Sequence, residues 1–109
     1  MSTAKKLKKL HRIAQLLRDR DLSNLAGTSV RKSRTEVLLS ALDTTQSAPS
    51  LDPVSAGQVV DRFGLWTTNR RIVLNQQLAR ETVEWMAAYT SAQRSFGRAE
   101  VLQKLKGRR

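Results

Sequence analysis

The feature that most constrains this chain is a stripe in its last third. Positions 74, 78, 81, 85, 88, 92, 95, 99 and 102 advance by alternating fours and threes. They read Leu74, Leu78, Glu81, Trp85, Ala88, Ala92, Ser95, Ala99 and Leu102, so seven of nine are apolar. A spacing that averages about 3.5 residues per turn keeps one narrow face of a helix turned toward a partner helix. Arg80, Glu84, Gln93, Arg94, Arg98, Glu100 and Lys104 fall between and form solvated faces, while Met86, Tyr89, Phe96 and Val101 are expected to widen the stripe. No proline follows Pro53, and Gly97 is the one glycine between 74 and 105. The stretch predicts a long helix, and a helix with one narrow stripe must pack against something.

Length and composition limit what that partner is. In 109 residues, 39% are hydrophobic and 5% aromatic, which suits one domain of thin, paired helices better than a layered core. There is no cysteine, so disulfides, thiolate metal sites and thiol chemistry are absent. No apolar run approaches the roughly 20 residues of a membrane span, and the first residues lack the apolar centre of a secretory signal. The chain reads as soluble and cytoplasmic, with the inner face of the cytoplasmic membrane as an alternative site of residence.

The partner helix lies upstream. Over residues 4–26, Leu7, Leu10, Ile13, Ala14 and Leu17 share one arc, and Lys5, Lys8, Lys9 and Arg12 gather on the opposite side. Such a segment either packs its apolar side on its own protein or lies on an anionic membrane. His11 is the single histidine and is expected to be exposed. The pattern loosens through Asp21, Leu22 and Leu25, meets Gly27, and returns with Val37, Leu38, Ala41 and Leu42. Glycine costs about 1 kcal/mol in a helix interior, so residues 4–45 read as one helix with a kink near Gly27 rather than two shorter helices.

From Asp43 to Ser55 the run DTTQSAPSLDPVS has turn chemistry, with Pro49 and Pro53 as breaks. Asp52 followed by Pro53 is a start signal: an N-cap carboxylate, then a proline where no amide is needed. The expected plan is a helix over about 4–45, a turn over about 46–52 and a helix over about 53–106. Together these make an all-α antiparallel coiled-coil hairpin. Its seam is expected to comprise Leu10, Leu17, Leu74, Leu78, Trp85, Ala88, Ala92, Ala99 and Leu102. Upstream of Leu74 the second helix carries Val59, Phe63 and Trp66, and an extra step of four between 66 and 78 predicts a stutter. Trp66 reads as core or as an interface anchor.

The net charge is +11, which favours an acidic partner. Residues 1–34 carry +8, residues 35–69 carry −3 and residues 70–109 carry +6. Folding the chain at its turn brings both basic segments to the end where the termini meet. That basic pole comprises Lys5, Lys6, Lys8, Lys9, Arg12, Lys104, Lys106, Arg108 and Arg109; its bland reading is a solubilising face.

No catalytic constellation is legible. The five glycines are scattered singly at 27, 57, 64, 97 and 107, so no phosphate loop exists. The lone histidine sits among lysines, away from any serine–acid set, and the acidic residues have no metal-ligand spacing. Glu81 and Glu84 read as register or pairing devices rather than an acid–base couple. The expectation is a protein without enzymatic activity, cofactor or metal.

Residues 74–105, LNQQLARETVEWMAAYTSAQRSFGRAEVLQKL, resemble the C-terminal helix of the FliJ-type proteins of flagellar and type III secretion export. The Phe96–Gly97–Arg98–Ala99 step, followed by Val101, Leu102 and Leu105, carries most of the likeness, and the remainder matches in architecture. The resemblance implies a coiled-coil stalk whose terminal end enters the ring of an export ATPase and modulates it. Other surfaces would meet an export gate or chaperones. Under this reading the basic pole faces the ring. The alternative is a basic helical protein that binds nucleic acid non-specifically, although no aromatic is interleaved among Lys5–Arg12 to stack bases. Peripheral membrane contact through the first helix is a third reading.

Overall fold

A computed structural model describes residues 2–43 and 53–108 of the chain. Among them the structure is all-α, with α1 at Thr3–Leu42 and α2 at Pro53–Gly107. The second helix matches its expected span to within a residue. The first stops three residues short of 45, where the Asp43 amide donates to the Ser40 carbonyl at 3.1 Å and closes a tighter last turn. The turn expected over about 46–52, with Pro49 and the N-cap reading of Asp52, falls within residues 44–52, which lie outside the described residues, as do Met1 and Arg109.

Of the two readings of residues 4–45, the single helix is the one that forms, for α1 runs unbroken through Gly27. A single glycine penalty is small beside the packing of the flanking turns. Thr28, next in sequence, is buried and turns its hydroxyl inward on the Leu25 carbonyl at 2.9 Å. That hydroxyl therefore does not open the helix to solvent.

The chain divides into two compact units. The first comprises Met1–Val30 with Val83–Arg109, and the second comprises Arg31–Thr82. Within each, a segment of α1 runs antiparallel to a segment of α2. In the first unit the Ser95 hydroxyl donates to Asp21, and Trp85 Nε1 donates to Ser29 Oγ at 3.0 Å. In the second, the Thr35 hydroxyl donates to Glu81, and Arg71 Nη1 pairs with Asp43 at 2.8 Å. In both cases the partner number falls as the α1 number rises.

The α2 seam is the one its spacing predicts. In the second unit Leu74 is fully buried, and Leu78 and Glu81 are half-buried. In the first unit Ala92, Ser95 and Ala99 are buried, and Trp85, Ala88 and Leu102 are half-buried. The side chains expected to widen this stripe do not: Met86, Tyr89, Phe96 and Val101 are all exposed. A two-helix contact covers one stripe only, and these residues stand off it.

On α1 the seam differs from the expected arc. Beside half-buried Gln15, Leu17, Gly27 and Ser29, the covered row in the first unit is Leu7, His11, Ala14, Arg18, Asp21, Leu25 and Thr28, and in the second Lys32, Thr35, Leu39 and Leu42. Each set advances by strict fours and threes, but about half of its members are polar. His11, expected outside, is buried. Leu10, assigned to the seam, is 50% exposed, and Ile13 stands beside it at 45%. Leu17 is half-buried at the seam's edge, and Val37, Leu38 and Ala41 are exposed.

The stutter is also displaced. Between residues 57 and 74 the covered positions before Leu74 are Phe63, Thr67 and Arg71, so the extra step of four falls between 63 and 71. Val59 and Trp66 are therefore exposed. The Thr67 hydroxyl is buried without a hydrogen-bond partner among the described residues, so this stretch of the seam is imperfectly satisfied.

Candidate interaction surfaces

The first unit gathers most of the charge. By sequence it holds 13 basic and four acidic residues, a net +9, against seven and five, a net +2, in the second. Its α1 begins with a side-chain cap, the Lys5 amide donating to Ser2 Oγ at 3.3 Å. Lys5, Lys6, Lys8, Lys9 and Arg12 then project from the first turns, all exposed, with no acidic residue in the first turn. Cations here oppose the helix dipole, which favours acidic side chains at this end by about 0.3–1 kcal/mol each. At the end of α2 the situation is reversed. Lys104 and Lys106 occupy the last turn, where the dipole favours them, and Arg108 follows. Antiparallel pairing within the unit brings these two helix ends side by side. Eight of the nine residues read as a basic pole are exposed and belong to this unit; Arg109 is outside the described residues.

Beside this pole runs an apolar groove of about 600 Å³, walled by Leu10, Ile13 and Leu17 of α1 and by Val101 and Leu102 of α2. Its origin is local. The seam of this unit buries alanines (Ala14, Ala92 and Ala99). The large α1 side chains lie one position to the side, where the two-helix contact does not cover them. Gly97 adds no side chain to the α2 wall, and nothing lies within 4 Å of where its Cβ would be. Arg94 and Arg98 complete that wall, and no carboxylate lines the groove.

The polar members of the seam set register. Asp21 receives the Ser95 hydroxyl from across the interface, and Arg20 Nη2 lies 3.2 Å away. The Ser95 hydrogen bond, assisted by Arg20 and Arg98, holds the Asp21 carboxyl below the usual carboxylate range, against the opposing effect of burial. In the second unit Thr35 donates to Glu81 and accepts from Gln77 Nε2 at 3.1 Å, and that amide also reaches Glu81 at 3.4 Å. Each network is satisfied in one register, and a shift of a turn would strand a carboxylate.

Trp85 is a seam residue, half-buried and stacked on Tyr89 with ring centroids 5.5 Å apart. Trp66 is 54% exposed and stacks on Phe63 at 5.9 Å. With Leu38, Leu42 and Arg70 these two rings border a hollow of about 410 Å³ in the second unit. The core reading of Trp66 therefore does not hold.

Among the described residues there is no group of three histidine, cysteine or acidic side chains able to hold a metal ion. Among them, too, no helix is long and apolar enough to cross a membrane. No protein-family model, curated protein or solved structure matches this chain.

Proposed function

We propose that this chain is a non-enzymatic helical-hairpin interaction protein that binds an acidic protein surface through the basic end of its first unit. The observation that carries the reading is the cluster of Lys5, Lys6, Lys8 and Lys9 on the opening turns of α1, beside Lys104, Lys106 and Arg108 of α2. Four lysines at a helix N-terminus work against helix stability. Complementarity to a partner gives that arrangement a use that folding does not. The resemblance of residues 74–105 to FliJ-type proteins names the partner class: the ring of a flagellar or type III export ATPase, modulated by a stalk, with export-gate or chaperone proteins on other faces.

The test is to mix the purified chain with the export ATPase of the same organism and follow binding and ATP turnover across a salt series. Binding and a change in turnover are expected for the wild type. Reversal of Lys5, Lys6, Lys8 and Lys9 to Glu should slow association, most strongly at low salt, because exposed charges mainly steer encounter. Turnover indifferent to the wild-type chain would remove the ATPase assignment. Equal affinity of wild type and variant would remove the basic end from the contact. Sequence-selective binding of duplex DNA that survives physiological salt would favour the nucleic-acid alternative, since contacts from one basic cluster to phosphates alone weaken by orders of magnitude between about 50 and 200 mM salt.

A further inference from the structure

The groove in the first unit adjoins the lysine cluster at Lys6 but is lined by other residues, and its shape and charge describe an occupant. On α1, Lys6, Leu10, Ile13, Leu17 and Arg20 share one stripe, spaced by fours and threes, so a cation closes the apolar row at each end. On α2, Arg94 and Arg98 stand beside Val101 and Leu102 in the wall. The row from Lys6 to Arg20 is about 14 residues, or roughly 21 Å, of helix. This is an apolar channel between two antiparallel helices, lined over residues 10–17 and 93–102, and its two charged lining residues, Arg94 and Arg98, are both cations.

We infer that this groove receives an amphipathic helix of a partner protein, with its leucine-type stripe against Leu10, Ile13, Leu17, Val101 and Leu102 and its flanking carboxylates against Arg94 and Arg98. A third helix laid along the pair buries the side chains that a two-helix seam leaves wet, as helix-in-groove recognition does elsewhere. Charge selects the occupant. A second copy of this chain would bring another +9 unit against the first, whereas acidic flanks neutralise the rim. This inference goes beyond the proposed function: it holds or fails whether or not the lysine cluster meets an ATPase.

The test uses the full chain and two synthetic three-heptad peptides with leucine at the stripe positions, one flanked by glutamates and one by lysines. Fluorescence anisotropy should show the glutamate peptide binding at least about tenfold more tightly than the lysine peptide. Substituting Arg94→Glu together with Arg98→Glu should abolish or invert that preference. Leu10→Gln with Val101→Gln, both positions about half exposed, should weaken binding by about tenfold or more while leaving the melting temperature little changed. Because a variant can fail to fold, amide protection in the wild type is read as well, and the glutamate peptide should slow exchange around 10–17 and 98–105. Failure of the glutamate peptide to bind, equal binding of both peptides, or protection elsewhere would overturn the proposal. So would a dimer dispersed by Leu10→Gln with Val101→Gln, which assigns the groove to a second copy. Binding of phosphatidylserine vesicles in place of the peptide would assign it to a membrane.

Discussion

The two units use the same pair of helices to opposite ends. The second encloses a large side chain, Leu74, and ties its helices through Thr35, Glu81 and Gln77 at a net charge of +2. The first fully encloses only alanines among its apolar residues, ties its helices through Asp21 and Ser95, and carries +9 with Leu10 and Ile13 beside the contact rather than in it. Apolar burial scales with area, so for equal seam length the alanine-lined contact yields less stabilisation. What the first unit leaves unburied it displays. A coiled-coil register can thus divide one hairpin into a part that holds and a part that presents.

The largest expected effect tests the holding half. Leu74→Ala empties a fully buried site and should cost about 2–4 kcal/mol, measured by denaturant unfolding. Amide protection should fall first between 31 and 42 and between 63 and 82. Leu102→Ala, at a half-buried site in the first unit, should cost about 1–2 kcal/mol. Equal costs would erase the distinction between the units.

Next comes the polar tie of the second unit. Thr35→Val keeps the shape of a fully buried side chain but removes the hydroxyl that Glu81 accepts, and should cost about 1–3 kcal/mol. A double substitution adding Glu81→Gln should recover part of that loss, because the stranded group is then neutral. Additive losses would mean that Thr35 and Glu81 act independently.

The corresponding tie in the first unit has a pH signature. The Asp21 carboxyl titrates lower in the folded chain than in the unfolded one, mainly through the Ser95 hydroxyl. Its contribution is therefore fully present above about pH 4 and is lost as pH falls through the depressed folded value. Ser95→Ala should shrink that acid-side loss, seen as a flatter stability curve below about pH 4. An unchanged curve would show that the bond does not set the titration.

How much of this was legible beforehand differs between the helices. On α2, the nine positions from Leu74 to Leu102 could be read from spacing because seven are apolar. On α1, searching for apolar periodicity selected Leu10 and Ile13, the residues that wall the groove, and passed over His11, Asp21, Thr28 and Thr35, which are buried. The missing signal lay on the partner helix. A seam that carries Glu81 and Ser95 requires polar groups opposite them, and the strict fours-and-threes row from Leu7 to Leu42 supplies Asp21 and Thr35. The displaced stutter has a similar origin, since Thr67 and Arg71 hold covered positions that hydrophobicity would assign to Trp66. The concentration of charge in the first unit was legible because charge adds up along the sequence. The groove was not, because it depends on which of two adjacent stripes the seam takes.

The smallest effect on stability is the sharpest discriminator for the presenting half. Lys5 sits three residues after the capping residue Ser2, the place where glutamate would complete a reciprocal capping box. Lys5→Glu should therefore stabilise α1 by a few tenths of a kcal/mol to about 1 kcal/mol, and Lys6→Glu should add a smaller increment through the dipole. If the lysines serve only solubility, these substitutions improve the protein without cost to binding. If they form a contact surface, stability and binding move in opposite directions: the thermal midpoint rises while association with the acidic partner slows, and high salt narrows both differences. Helicity by circular dichroism and association rate by surface plasmon resonance, measured on the same samples at about 20 and 300 mM salt, separate the two cases. A gain in stability with unchanged association would return the lysines to a solvated face, whereas opposed shifts would mark positions where binding, rather than folding, accounts for the residue.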